Sequence, residues 1–295
     1  MAVEALEKIE QTIEQQSFLD RLAGPLQRPL HEFLEHRPRL RSLVHGTWLG
    51  HPLHAALTDW PVGAWTATLC LDLLDWLRPG RGLRSAATAT TGFGLVGALA
   101  AATAGLADWT WTSHGARRLG LVHGLANLAV TGLYTASLLA RLRGDRGRGI
   151  GLAGLGYGLL AFSTWLGGHL AYRCGVGVNR TAFQSGPRAW TPVLPAADLA
   201  EGQRRRVVVG TVPVLLSRLQ GRVYAIGATC PHLGGPLDQG RVSDLTVTCP
   251  WHYSQFRLTD GQVLAGPATA SALRFETRER DGQIEIRQAE ESCQP

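Results

Sequence analysis

Lysine is nearly missing from this chain: of 29 basic residues only Lys8 is not arginine, and the formal net charge over 295 residues is +6. Much of the arginine sits in short loops between long apolar runs, a distribution that reads as membrane topology. A basic stripe interleaved with aromatics on one folded face is absent, which excludes nucleic acid as a partner. A secretory signal is also absent. Residues 1–20 carry Glu4, Glu7, Glu10, Glu14 and Asp20 and no apolar core, so export by a cleaved peptide is not expected. The five cysteines make no disulfide framework. Cys70 lies within an apolar run, Cys174 just after another and Cys293 in the tail, where each reads as a small core residue or a surface thiol. Only Cys230 and Cys249 fall into a purposeful pattern. No internal repeat is evident.

The length and the uneven spread of apolar residues predict two structural units. Four stretches, 52–77, 86–108, 119–140 and 149–172, reach the roughly 20 residues that a bilayer-spanning helix needs. They end at arginine, tryptophan or Gly/Pro breaks such as Arg78-Pro79-Gly80, Trp109-Thr110-Trp111 and Arg141-Leu142-Arg143-Gly144. A soluble bundle would need polar residues at helical spacing on its wet faces, and Gly92–Gly105 has almost none. The expectation is an all-α four-helix transmembrane domain over 51–174. Ahead of it, residues 1–50 form an amphipathic helical segment. Leu6, Ile9, Ile13 and Leu22 share a face, and Gly24-Pro25 is predicted to stop the helix. That segment would lie on the bundle, on the second domain or on the membrane, or associate with a second copy.

After residue 175 the pattern changes to short β-branched runs separated by Gln220-Gly221, Asp260-Gly261 and Asp281-Gly282, which are turn signals. Strands are predicted near 205–209, 212–218, 222–226, 243–248, 255–258, 273–278 and 283–288. The fold class is therefore multi-domain, with a small all-β antiparallel domain over 189–290 joined by a linker over 175–188 that contains Gly175, Gly177, Gly186 and Pro187.

Cys230-Pro231-His232 and Cys249-Pro250-Trp251-His252 supply C-x-H and C-x-x-H halves separated by the sixteen residues 233–248, each in a loop between predicted strands. A structural zinc site also uses two cysteines and two histidines, but common zinc fingers pair cysteine with cysteine and histidine with histidine. The alternating order resembles the Rieske family. The resemblance runs from about Trp190 to Gln288 and includes Phe256-Arg257-Leu258-Thr259-Asp260-Gly261 and Leu264-Ala265-Gly266-Pro267. It implies a [2Fe-2S] cluster held by Cys230, His232, Cys249 and His252, with two thiolates on one iron and two imidazoles on the other.

Departures from the family pattern narrow the subtype. Rieske proteins of quinol-oxidising respiratory complexes carry an extra cysteine in each cluster loop, where this chain has Gly235 and Trp251, so that bridge is lost. They also place tyrosine where Phe256 stands, which removes one hydroxyl donor to sulfur and leaves Ser254 as the other. Fewer such bonds lower the potential, so the lower half of the Rieske range of roughly −150 to +300 mV is expected, as in a ferredoxin-type Rieske. Tyr253 stands where the family usually has glycine.

His51-Pro52-Leu53-His54, Asp59, Trp60, Pro61 and Gly63 resemble a family of four-helix membrane domains of unassigned function, over roughly residues 40–172. With helices alternating in direction, His51, His54, Asp59, Asp108, His114, His123 and His169 fall on one membrane face, and ionisable residues at such depth suggest function. His54, His123 and His169 are candidates for haem b or for a non-haem metal. The plainer alternative is a set of interfacial histidines hydrogen-bonded to Asp59, Asp108 or headgroups.

An oxygenase catalytic subunit would need a mononuclear iron site in a large further domain, for which the chain ends too soon. The preferred reading is a membrane-anchored electron-transfer component that carries single electrons between an unidentified redox protein and the bilayer, rather than a stand-alone enzyme. The alternatives are a membrane oxidoreductase with haem b or a quinone site in the bundle, and a redox-sensing scaffold. Seven arginines flank the spans on each side, so charge decides no orientation. The lack of an export signal favours a multi-pass protein of the cell membrane with its cluster domain on the cytoplasmic side.

Overall fold

The computed structural model describes residues 2–289. Cys293 and the last residue of the expected 189–290 domain lie outside the described residues. Two compact units form, one from Met1–Phe33 with Leu53–Val176, the other from Leu34–Pro52 with Gly177–Pro295. The N-terminal segment is thus shared between them, and is built as α1 (Ala2–Gln15), α2 (Leu19–Glu35) and α3 (Pro38–His45).

In the helical unit follow α4 (Leu53–Leu77), α5 (Arg81–Trp109), α6 (His114–Leu142) and α7 (Arg146–Tyr172). Three of the four, over Gly82–Trp109, His114–Leu142 and Arg146–Tyr172, are long and apolar enough to cross a membrane. The expectation was four. α4 has the length, about 37 Å at 1.5 Å per residue, but carries Asp59, Asp72 and Asp75. Asp72 and Asp75 are buried and paired: Arg141 donates from Nη1 to Asp72 at 2.9 Å, and Arg146 reaches both carboxylates at 3.0 Å. Buried charge is tolerated only with such partners.

α4 packs on α5 and α6 on α7, and the two hairpins are copies of one plan. Residues 69 positions apart in α4 and α6 correspond: His54 and His123, Gly63 and Gly132, Trp65 and Tyr134, Thr66 and Thr135, Asp72 and Arg141. Residues 62 apart in α5 and α7 do likewise, as in Gly94 and Gly156 or Gly105 and Gly167. Corresponding residues meet across the bundle. Trp65 stacks on Tyr134 with centroids 4.0 Å apart and planes 3° from parallel, and Asp72 is ion-paired with Arg141. Each large ring beds on the small residue opposite, since a Cβ at Gly94 would strike the Trp65 indole and one at Gly156 would lie 2.9 Å from the Tyr134 ring. An internal repeat is therefore present where the sequence showed none. Its corresponding positions exchange Trp for Tyr and Asp for Arg, which preserves the pairing while erasing the identity.

The first two helices pack against this bundle. Leu19 and Ala23 join Trp109 and Leu121 in a buried cluster, and Asp20 receives both Arg117 and Arg118, at 2.7 and 2.6 Å. Gly24-Pro25 does not stop the helix; α2 runs through Pro25 and Pro29. Interior proline costs about 3 kcal/mol in an isolated helix. Here tertiary bonds offset it, among them Gln27 donating to the carbonyls of Trp109 and Thr112 at 2.8 and 3.0 Å.

The second unit holds two antiparallel sheets. With β1 (Thr191–Pro195), β2 (Arg204–Val209), β3 (Val212–Leu219), β4 (Arg222–Gly227), β5 (Arg241–Ser243), β6 (Thr246–Thr248), β7 (Gln255–Arg257), β8 (Val263–Ala265), β9 (Arg274–Arg280) and β10 (Gln283–Gln288), the orders are β1-β10-β9-β4-β3-β2 and β5-β6-β7-β8. β1 and β8 were not expected, and the single expected strand over 243–248 is a hairpin whose arms are β5 and β6. Gln220-Gly221 and Asp281-Gly282 turn their hairpins with both residues at positive φ, the geometry that matches strand twist. Residues of the expected 175–188 linker pack onto this unit: the Arg180 amide donates to the Pro231 carbonyl at 2.8 Å, and Thr181 is buried.

Candidate functional site

Two loops, one between β4 and β5 and one between β6 and β7, are built to one pattern. In the first, the Cys230 amide donates to the Gly235 carbonyl at 2.8 Å and its carbonyl accepts from Gly234 at 2.9 Å. In the second, the Cys249 amide donates to the Ser254 carbonyl at 2.8 Å and its carbonyl accepts from Tyr253 at 3.1 Å. Each sulfur accepts two amides from its own loop, His232 and Leu233 on Cys230, Trp251 and His252 on Cys249. The fourth residue after each cysteine lies in the left-handed region, Gly234 at φ 81° and Tyr253 at φ 62°. That is why the family favours glycine there, and why Tyr253 is anomalous: a bulky residue in this region costs about 1–3 kcal/mol.

Both cysteines are buried in the core between the sheets, with Leu215, Ile226, Leu237, Val247, Phe256 and Leu258 around them. The histidines are half-buried. Their rings stand 5.0 Å apart at 90°. Two imidazoles bound to one tetrahedral metal at about 2 Å would hold their centroids about 5 Å apart. His232 Nδ1 is buried and makes no hydrogen bond. Burial, then the neighbouring His252 and His45, hold the His232 imidazole well below its usual range, so it is the neutral base a metal requires. The Cys249 sulfur is lowered below the usual thiol range because Cys230 donates to it, reinforced by the Trp251 and His252 amides; Cys230 is pushed up in return. Two sulfurs and two imidazoles on facing loops fit an iron–sulfur group of the mixed-ligand kind.

Gly235 packs against the second loop, its missing Cβ position 2.8 Å from the Cys249 sulfur and 3.2 Å from the Trp251 ring. Positions 235 and 251, where respiratory relatives place a disulfide, therefore do face each other. Ser254 is fully buried, its Oγ accepting from the Ala268 amide at 2.9 Å, and Phe256 is fully buried with no hydroxyl to offer.

Sequence reasoning missed the residues that brace this site from α3 and the turn that follows it. Arg41, 2% exposed, donates from Nη2 to the Tyr253 carbonyl at 3.1 Å, so a guanidinium holds the strained residue in place. Ser42 Oγ accepts from the Gly266 amide at 3.1 Å, and Thr47 donates to the Ala268 carbonyl at 3.0 Å. Burial, and then the Glu35 carboxylate, raise the Tyr253 phenol. The one signal in the sequence was Tyr253 itself, a residue needing support that its own loop does not provide.

In the helical unit the three candidate histidines separate. His54 and His123 face each other with centroids 6.3 Å apart at 87°. His169 instead places Nδ1 2.6 Å from Glu10 and Nε2 3.7 Å from Glu14, and its donor atoms with those of Glu14 and Cys174 lie within 4.8 Å of one another.

Two family models match the chain: Rieske [2Fe-2S] domain over residues 189–279, and Predicted membrane protein (DUF2231) over residues 50–180. Apoptosis-inducing factor 3 of Mus musculus is 35% identical over 97 residues, which is 33% of this chain and 16% of that protein. The chain thus spans about a sixth of that relative. Ferredoxin CarAc of Metapseudomonas resinovorans is 30% identical over 98 residues, covering 33% of this chain and 92% of the ferredoxin. The ferredoxin component of biphenyl 2,3-dioxygenase from Rhodococcus jostii (strain RHA1) is 32% identical over 87 residues, 30% of this chain and 81% of its own length. With nearly the whole of a ferredoxin matched at this identity, the chain belongs to the Rieske [2Fe-2S] family and carries a DUF2231 membrane domain in the same polypeptide.

Proposed function

We propose that Cys230, His232, Cys249 and His252 hold the [2Fe-2S] cluster, and that the chain carries single electrons between a redox protein and the membrane. The observation that carries this reading is the pair of matched loops, which bring two buried sulfurs and two imidazoles 5.0 Å apart to one place. When bound, the cluster takes up and returns one electron. The chain's own residues do the rest. The four amides on the cysteine sulfurs stabilise thiolate charge, and the buried apolar core keeps water from the sulfur side. The half-buried histidines leave that edge as the exit to a docking partner. The ferredoxins matched above support a redox protein, an oxygenase or a reductase, as that partner.

The DUF2231 match and the three apolar helices support anchorage in the membrane. The reading extends to a multi-pass topology with the Rieske unit on the cytoplasmic side. Protease added to sealed cells would then leave that unit intact, and its cleavage from outside would reverse the assignment. For the ligands, electron paramagnetic resonance of the reduced full-length protein is the test. His232→Cys and Cys249→Ser should each abolish the Rieske signal without changing membrane insertion, and a retained signal would overturn the ligand set.

A further inference from the structure

The repeated hairpins bring three pairs of corresponding residues together along one axis. Trp65 and Tyr134 stack; Asp72 and Arg141 form an ion pair. The third pair, His54 and His123, stands 6.3 Å apart, and its hydrogen bonds go elsewhere. His54 Nδ1 bonds to the Ala101 carbonyl at 2.9 Å and His123 Nδ1 to the Ser163 carbonyl at 2.9 Å. These acceptors are equivalent: each lies four residues before a glycine, Gly105 or Gly167, on which the same imidazole rests. A Cβ at Gly105 would come within 2.8 Å of the His54 ring, and one at Gly167 within 3.1 Å of the His123 ring. Both rings are thus fixed in orientation, with Nδ1 spent on a backbone carbonyl and Nε2 as the remaining donor atom. A carbonyl on one ring nitrogen is the usual way a protein orients a metal-binding histidine.

We propose that His54 and His123 are the axial ligands of a haem b held between the two hairpins. The spacing selects haem over a tetrahedral ion. Ligand nitrogens about 2 Å from a shared metal put ring centroids about 5 Å apart in tetrahedral geometry and roughly 6 Å apart when trans. The cysteine-paired histidines of the β unit show the first value, at 5.0 Å; this pair shows the second, at 6.3 Å. Macrocyclic iron also explains the small ligand number, because the porphyrin supplies the equatorial donors and the protein need add only two. Two imidazoles leave no open axial position, so the group carries an electron. The Asn127 amide, one turn beyond His123, reaches its Nε2 at 3.1 Å and is the group the iron displaces. His169 is not part of the site, being engaged by Glu10.

The test uses the full-length protein, purified in detergent from cells supplied with 5-aminolevulinate. A pyridine haemochrome assay should give about one haem per chain, and the reduced spectrum should be that of low-spin iron with two imidazoles. His54→Ala and His123→Ala should each lower haem content at least tenfold, while His169→Ala and Asn127→Ala change it less than twofold. Because an alanine variant could lose haem by distorting the bundle, added imidazole is the second measurement: it should restore the low-spin spectrum to His54→Gly. Haem below a tenth per chain in the parent protein, haem retained in both histidine variants, or no rescue by imidazole would each overturn the proposal. The Rieske resonance is read on the same samples. Its presence without haem would overturn this site alone, and its absence with haem present would overturn the cluster assignment alone.

Discussion

Two histidine pairs, one in each unit, show how the same side chain is placed by different means. His232 and His252 sit on short loops whose backbone closes on itself, each cysteine bonded at both its amide and its carbonyl within six residues. His54 and His123 sit on long helices, and the second helix of each one's own hairpin holds it through a carbonyl and a glycine 40 or more positions away. The loop site is local in sequence and needs support from outside only where a residue is strained. The helical pair has one local bond, from Asn127 to His123, and otherwise depends on how the two helices of each hairpin are set against each other.

The sharpest way to break this contrast is at a loop histidine. His252→Ala should remove the Rieske resonance completely while leaving a haem spectrum at full intensity, because His252 belongs to one compact unit and His54 and His123 to the other. Loss of both signals together would mean that the two pairs are not independent.

The helical register is expected to rest on the buried ion pair. Removing one member of a buried pair costs about 3–5 kcal/mol because its partner stays charged and uncompensated. Asp72→Asn leaves Arg141 in that state, and Arg146 loses one of its two carboxylates. The midpoint for unfolding in denaturing detergent should fall accordingly, with the Rieske unit's own transition unchanged. An unchanged helical midpoint would show that register is set by the aromatic stack alone.

The brace on the cluster loop should carry a smaller effect. Arg41→Met removes the guanidinium that donates to the Tyr253 carbonyl, and a lost bond from a charged group to a buried acceptor is worth about 1.5–3 kcal/mol. The guanidinium concentration at which the cluster absorbance is half lost should drop. Tyr253→Gly in that background should recover about 1 kcal/mol, since glycine adopts φ 62° without strain. Failure of the glycine to recover anything would mean that Arg41 acts on something other than the strained residue.

These dependencies explain what could be read from the chain alone. The candidate set Cys230, His232, Cys249 and His252 was legible because each loop packs its cysteine and histidine within four residues, among short β-branched runs marked off by Gln-Gly and Asp-Gly turns. Tyr253 was legible as an anomaly, but Arg41 was not, because the two are 212 positions apart and no spacing rule links them. β1 and β8 escaped because Thr191–Pro195 contains two prolines and Val263–Ala265 is too short to show alternation. α2 was cut at Gly24-Pro25 because a local rule overrode the tertiary bonds of Gln27. The hairpin repeat was hidden by complementary substitution, Asp for Arg above all. Identity is lost in such an exchange, although the pairing it preserves joins the two hairpins.

The smallest expected effect separates the packing of the first helices from the bundle proper. The Arg118 and Arg117 guanidiniums hold the Asp20 carboxyl down at about 2, against an ordinary value of 3.8. A carboxylate depressed in the folded state stabilises the docking of α2 fully above its unfolded value, and that contribution is lost as the pH falls from about 4 towards 2. The pair is partly exposed, so the effect is modest and weakens with salt. Hydrogen exchange in peptides from α1 and α2, compared between the parent protein and Asp20→Asn, should differ at pH 5 and converge near pH 2, with α7 peptides the same throughout. A difference that persists undiminished at pH 2 would mean the asparagine disturbs packing, and that the carboxylate charge is not what ties these helices to α6.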